Sequence, residues 1–271
     1  MADERTSGLH PTAPSEPDDL GELTDDAITG SFRILQRKHG HRYSLDDVLT
    51  AYEGAQVAPE ARECLELGTG IGSVLLMLAH ALPNARFHAV EAQTNSYRLL
   101  EQNVARNQLS TRVTLVHGDL RERVGEPPLV GPFDLITGTP PYVPPGKATP
   151  STDAQRAYAR QEYRGGVEAY LSAAATALAP NGRLVVCADA RFPERVSEYA
   201  ASVGLRLLRI LEAIPRADKK APLFSVFTLK PRHAADDETV EVSRFVARDA
   251  EGARSHAYLD LRAYFGLPPT Y

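Results

Sequence analysis

Tryptophan is absent from this 271-residue chain, and cysteine and methionine occur only twice each. The two cysteines, Cys64 and Cys187, lie far apart in apolar, strand-like runs, with no CxxC spacing. That argues against a disulfide scaffold or a cysteine-based zinc site, and for reduced core thiols. His39 and His41 have no companion ligands in sequence, so no metal is assigned. Long apolar runs are missing as well: none approaches the roughly 18 residues of a membrane helix. The first residues lack the basic-then-apolar pattern of an export signal, so a cytoplasmic location is expected.

Positive charge is scarce at the start of the chain. Residues 1–26 carry eight acids against the single Arg5 and are rich in Pro, Ser, Thr and Gly. They read as a disordered acidic tail. The net charge of −5 resides in that tail, and the remainder is slightly basic, near +2. Residues 27–60 read as an N-terminal cap segment: a basic strand or loop, then a helix over about 46–56 with Ser44 as its N-cap.

From Glu63 the pattern is regular. "ECLELG", "ARFHAVE", "RVTLVHGD", "FDLITG" and "RLVVCAD" read as strands. Between them stand "IGSVLLMLAHAL", "TNSYRLLEQNVARNQL" and "GGVEAYLSAAATALAPNG", the last a helix ended by Gly182. After a helix over about 193–203 come "LRLLRILEAI" and "APLFSVFTLK", two strands with no helix between them, expected to pair antiparallel at one edge. Such alternation predicts a Rossmann-like α/β domain over residues 61–271: a seven-stranded, mostly parallel sheet with helices on both faces. Ligands of such sheets bind beyond the C-terminal strand ends.

Three of those strand ends carry polar chemistry. "ELGTGIGS" sets Gly68, Gly70 and Gly72 between the first strand and its helix, where bare backbone and a helix N-terminus can meet a ligand. The spacing is G-x-G-x-G, preceded by Glu66, and differs from the G-x-G-x-x-G of dinucleotide sites. Glu91 closes the second strand and can accept from both hydroxyls of a ribose. Asp119 closes the third and can accept from an adenine amino group. Either acid could instead be a helix cap. The fourth strand ends in "TPPY", Thr139 to Tyr142.

Together, "ELGTGIG…VE…GD…TPPY" resembles the class I S-adenosylmethionine-dependent methyltransferases, and TPPY resembles the NPPY loop of those that methylate amino nitrogens. "GHRYSLDDVLTA" and "SHAYLDLRAYFGLP" are similar to segments of the bacterial tRNA1(Val) adenine-N6 methyltransferase family. The likeness spans about residues 31–268. It implies S-adenosylmethionine as cofactor, held by Glu66 and the three glycines, by Glu91 at the ribose, and by Asp119 with Leu120 at the adenine. It also implies that Asp46 closes over the cofactor, although a first-turn acid suits a helix dipole equally. Thr139, Pro140, Pro141 and Tyr142 become the catalytic loop, and tRNA the expected partner.

In NPPY enzymes the Asn oxygen and the first proline's carbonyl accept hydrogen bonds from the target amino group, and the aromatic stacks on its base. Two prolines stiffen the loop, and base stacking contributes about 1–3 kcal/mol. Here Thr139 replaces the Asn. Three readings stand: a working substitute, a substrate different from that of the NPPY enzymes, or a cofactor- and RNA-binding protein with little turnover. Among the NPPY-type enzymes themselves, a methyltransferase of a release-factor glutamine is the rival. The long stretch after TPPY, with Tyr158, Tyr163 and several arginines, is either a lid or a surface helix over about 151–163. Phosphate contacts are expected from Arg33, Arg37, Lys38 and Arg42, and from Arg216, Lys219 and Lys220, unless these are merely solvated faces.

Overall fold

A computed structural model describes residues 14–15, 19–149, 151–233 and 239–269. It opens on a hairpin: β1 (Leu23–Ala27) pairs antiparallel with β2 (Arg33–Arg37). The acidic tail was expected to run to residue 26, but its last residues are strand β1; residues 1–13 and 16–18 lie outside the described residues. The cause is charge pairing. Asp25 accepts from Arg33 at 2.8 Å, Glu22 from Lys38 at 2.9 Å and Asp26 from Arg42 at 2.9 Å. Neutralised acids can occupy a ladder that a run of repelling ones would avoid.

Then follow α1 (Leu45–Val57), β3 (Glu63–Leu67), α2 (Ser73–Ala81), β4 (Arg86–Glu91), α3 (Thr94–Arg106), β5 (Val113–His117), α4 (Leu120–Arg123) and β6 (Phe133–Gly138). The second half holds α5 (Ala154–Arg160), α6 (Val167–Ala177), β7 (Leu178–Ala188), α7 (Pro193–Ser202), β8 (Leu205–Ile214), β9 (Phe224–Pro231), β10 (Glu241–Val246) and α8 (His256–Tyr264). Helix α6 stops at Ala177 rather than near Gly182, because Pro180 cannot continue a helical ladder.

The main sheet has eight strands, not seven, in the order β10-β8-β9-β7-β6-β3-β4-β5. Every neighbour is parallel except β9, which runs antiparallel to both β7 and β8. The antiparallel pair is therefore not the edge; β10 covers β8 there. Among its residues only Phe245 is buried, so "EVSRFV" lacks the apolar alternation of a strand with a core face.

From β3 the chain winds outward through β4 and β5, then returns to β6 on the other side of β3. Leu67 and Gly138 pair at the C-terminal ends of β3 and β6. The glycine loop and TPPY thus emerge side by side, at the switch point where such sheets bind ligands. Two apolar layers hold this frame. Leu49, Leu75 and Leu99 from α1, α2 and α3 share one, and Leu120, Leu171 and Val196 from α4, α6 and α7 share the other. Helix α1 is also tied down by a polar link: buried Glu53 accepts from Thr228 of β9 at 3.0 Å and lies 3.5 Å from Arg209. A carboxylate at that depth demands such partners. The turn of the N-terminal hairpin also meets the C-terminal motif, since Gly30 donates its N–H to the Phe265 carbonyl at 2.8 Å. A Cβ on Gly30 would lie 2.7 Å from the Gly266 oxygen, so glycine there permits the contact.

Candidate active site

Above the β3, β4, β5 and β6 ends lies a cavity of about 860 Å³, its open mouth included. Gly68, Gly70, Glu91, Asp119, Leu120, Thr139 and Pro141 line it, as the sequence leads one to expect. Gly68 has φ +56°, and a Cβ there would lie 2.1 Å from the Tyr170 hydroxyl. Gly70, at φ +60°, faces open space, so a ligand can approach its backbone. The Glu91 carboxylate accepts from the N–H groups of Gly70 at 2.8 Å and Gln93 at 2.6 Å, which fixes it at the end of β4. Asp119 is both a lining residue and a cap: it accepts from the Arg121 N–H at 3.0 Å and pairs with the Arg121 guanidinium at 2.7 Å. Burial alone would raise its pKa; the Arg121 bonds outweigh that and hold it below the usual carboxylate range.

Three expected cofactor residues sit elsewhere. Glu66 is buried beneath the glycine loop, where it accepts from the Thr69 hydroxyl at 2.6 Å. Burial, opposed by the Thr69 bond, pushes its carboxyl well up. It props the loop instead of lining the cavity. Gly72 stands behind the lining as N-cap of α2, its φ of +87° making the turn into the helix. Asp46 is absent from the lining of this cavity. Its carboxylate accepts from the Tyr142 hydroxyl at 2.9 Å and bonds the Ser44 hydroxyl. The neighbouring acid, Asp47, takes the cavity position. It is buried, accepts from the Ser44 N–H at 2.9 Å and from the Ser73 hydroxyl at 3.0 Å, and lines the cavity together with Thr139. Burial, reinforced by the charge of Asp46, pushes its carboxyl up to about 7.

A second cavity adjoins the first at Asp47 and Thr139, which line both. Pro140, Tyr142 and Asp46 form its inner wall, and Arg42, Arg156 and Arg160 stand round it. Tyr142 is partly buried, and burial first, then Cys187 and Asp46, raises its phenol far above the ordinary value. It therefore stays neutral and serves as a wall and a donor.

The roof of both cavities comes from the long loop and the N-terminal cap together. The loop's helix, α5, covers 154–160 rather than 151–163, and Ala154, Gln155 and Ala157 are buried, so it is no solvated surface helix. Arg37 reaches Asp153 at 2.8 Å, Gln155 accepts from the His41 N–H at 3.0 Å, and Arg156 donates to the Gly40 carbonyl at 2.9 Å. Through these links His41, Tyr43, Tyr158 and Arg164 join the lining, with the Arg164 guanidinium 4.1 Å from the Tyr158 ring centre. Burial lowers the His41 pKa, which keeps its ring neutral at pH 7. His41, Tyr43 and Asp47 lie in the "GHRYSLDDVLTA" segment, and Tyr158 and Arg164 in the long stretch after TPPY, although the sequence singles none of them out for the cofactor; Tyr170, inside α6, gives no sequence signal.

The basic stretches differ from expectation. Arg33, Lys38 and Arg42 are paired with the acids of the hairpin and Arg37 with Asp153. Arg216 and Lys219 share Asp218, at 2.5 and 3.6 Å, and Lys220 is exposed. Of the seven only Arg42 borders a cavity of the site. Among the described residues no cluster of His, Cys, Asp and Glu could hold a metal, and no helix is long and apolar enough to cross a membrane.

The site is a cradle of bare glycine backbone, an acid at the neighbouring strand end and an apolar floor at Leu120. That set suits a nucleoside with a charged amino-acid tail. Comparison with known proteins agrees with it. Over 238 residues the chain is 29% identical to a tRNA1(Val) (adenine(37)-N6)-methyltransferase of Porphyromonas gingivalis, covering 86% of this chain and 92% of that one. Over 153 residues it is 33% identical to a release factor glutamine methyltransferase of Moorella thermoacetica, covering 54% and 52% of the two chains. A Listeria monocytogenes structure described as a class I S-adenosylmethionine-dependent methyltransferase shares the fold, with a TM-score of 0.54 at 14% identity over 83% of this chain and 73% of that one. The sequence profile of the methyltransferase small domain matches residues 53–198, and the chain belongs to that family, on a class I methyltransferase fold.

Proposed function

We propose that the chain is an S-adenosylmethionine-dependent N-methyltransferase whose substrate is an exocyclic amino group, adenine N6 of a tRNA, acting in the cytoplasm. In this reading residues 27–60 form a cap on a catalytic domain over 61–271. The observation that carries it is the junction of two cavities at Thr139: one fitted to the cofactor, the other walled by Pro140 and Tyr142.

The Gly68–Gly70 backbone would hold the cofactor's amino-acid part, Glu91 its ribose, and Asp119 with Leu120 its adenine. When bound, the cofactor supplies an electrophilic methyl group. The chain's own residues position and desolvate the nucleophile. Thr139 Oγ and the Pro140 carbonyl accept from the amino hydrogens. Pro141 has no N–H, and it stiffens the loop that presents that carbonyl. Tyr142 gives the base a face. The arginines round the second cavity favour a polyanion over a glutamine side chain.

The test is transfer of labelled methyl from S-adenosylmethionine to bulk tRNA from a strain lacking this gene, followed by digestion and mass identification of the nucleosides. N6-methyladenosine is the expected product. Label on a protein glutamine would favour the release-factor reading. No label with cofactor binding intact would favour a non-catalytic RNA-binding role.

A further inference from the structure

A threonine in place of the asparagine of NPPY poses a chemical problem. An amide oxygen is an acceptor by nature, whereas a hydroxyl is donor and acceptor at once. If its proton points at the substrate, it repels the amino hydrogens it should receive. The proton must therefore be committed elsewhere.

The first turn of α1 supplies the place. Asp47 and Thr139 both line the two cavities where they meet, which sets the carboxylate beside the Thr139 hydroxyl. The carboxylate is fixed by two donors, the Ser44 N–H at 2.9 Å and the Ser73 hydroxyl at 3.0 Å. Its neighbour Asp46 accepts from Tyr142 at 2.9 Å. Two consecutive acids thus stand at the first and last residues of TPPY. Helix α1 cannot drift, because Glu53 anchors it to β9.

We propose that Asp47 is a positioning residue that turns the Thr139 hydroxyl into a dedicated acceptor, while Asp46 sets the Tyr142 wall beside it. Thr139 and Asp47 together then do what one asparagine does in NPPY loops. This rests on the amino-methyltransferase reading above. It is a role that neither the glycine loop nor the TPPY motif assigns.

The test is a double-mutant cycle on the full chain, with methyl transfer to tRNA as readout. Asp47→Asn is nearly isosteric but can present an N–H to Thr139 and reverse the bond. It should lower kcat by about 10–100-fold, within the range of coupled neighbours, and leave the KM for tRNA within about threefold. In a Thr139→Asn background the same change should cost less than about threefold, because the amide needs no orienting partner. Equal losses in both backgrounds would make Asp47 a mere helix cap and overturn the proposal. Should Asp47→Asn fail to fold, Thr139→Ser and Thr139→Val decide. Valine fills the same volume without a hydroxyl and should lower kcat by about 10²–10³, while serine, which keeps the hydroxyl, should lose far less than valine; an active valine variant overturns the proposal. A wild type that binds S-adenosylhomocysteine but methylates no amino group would sink the functional reading, and this proposal with it. Additivity in an active enzyme sinks this proposal alone.

Discussion

The two cavities that meet at Thr139 are built in opposite ways. The proposed cofactor side is assembled from consecutive strand ends: Gly68 and Gly70 after β3, Glu91 on β4, Asp119 after β5. Its groups are fixed by near neighbours, as when the Glu91 carboxylate takes the Gly70 and Gln93 N–H groups. The wall of the acceptor side draws on segments more than a hundred residues apart in sequence, Gly40 with Arg156, and the same long loop and cap roof both cavities. A methyltransferase can keep the first as a general cofactor cradle and change the second to suit its substrate. The lesson is a division of labour, and each variant below should disturb one side without the other.

The largest effect belongs to Thr139→Ala. It removes one acceptor from the amino group and should lower kcat by about 10²–10³. Cofactor Kd by calorimetry should stay within about threefold. The mirror experiment is Glu91→Ala, which removes a charged acceptor and unpairs the Gly70 N–H. Cofactor Kd should rise about 10–100-fold, as for other hydrogen bonds to charged groups, with kcat at saturating cofactor nearly unchanged. If either variant moved both parameters together, the two cavities would not be separable.

A smaller, pH-dependent effect sharpens the junction. Asp47 must be ionised to accept from Thr139, and burial with the charge of Asp46 raises its carboxyl to about 7. Its other electrostatic neighbours are Glu66, Tyr142 and Cys187, with neutral His41 also facing the two cavities. Activity should climb as pH rises through about 7, by up to tenfold per unit on the acid side. Stability should move the other way. A folded pKa above the unfolded 3.8 means the folded state binds the proton more tightly, so this contribution is lost as pH rises toward 7. The kcat profile from pH 6 to 8.5, beside denaturant midpoints of wild type and Asp47→Asn, reads both. Parallel slopes would contradict the assignment.

The smallest effect is expected at the hairpin. Arg33→Gln with Lys38→Gln should change tRNA affinity less than about threefold, since exposed pairs of this kind contribute little. Arg160→Gln, at the second cavity, should weaken it more and reduce its salt dependence. Filter binding at two salt concentrations measures both, and the reverse order would move the RNA to the hairpin.

What could be read from sequence follows the same division. Strand–helix alternation, the glycine loop and the acids at strand ends are local patterns, and the strand ends they mark bring Gly68, Gly70, Glu91, Asp119, Leu120, Thr139 and Pro141 to one cavity at the switch point. Strand β10 escaped because an edge strand with one buried side chain has no apolar period. The roles of Asp46 and Asp47 could not be separated, because which of two adjacent acids faces the cofactor depends on the rotation of α1 against the sheet. The pairing of the basic stretches was hidden for a related reason: the acids that face them, Asp25, Asp26 and Asp153, lie in segments whose folding onto them leaves no local pattern.

The most direct test of the shared junction is a crystal structure with S-adenosylhomocysteine bound. The account predicts the ligand's amino-acid part over Gly70, its ribose hydroxyls at Glu91, and its sulfur turned toward Thr139 and the second cavity. A ligand with its sulfur facing away from Thr139, or seated beside Tyr142 and the arginines, would contradict it.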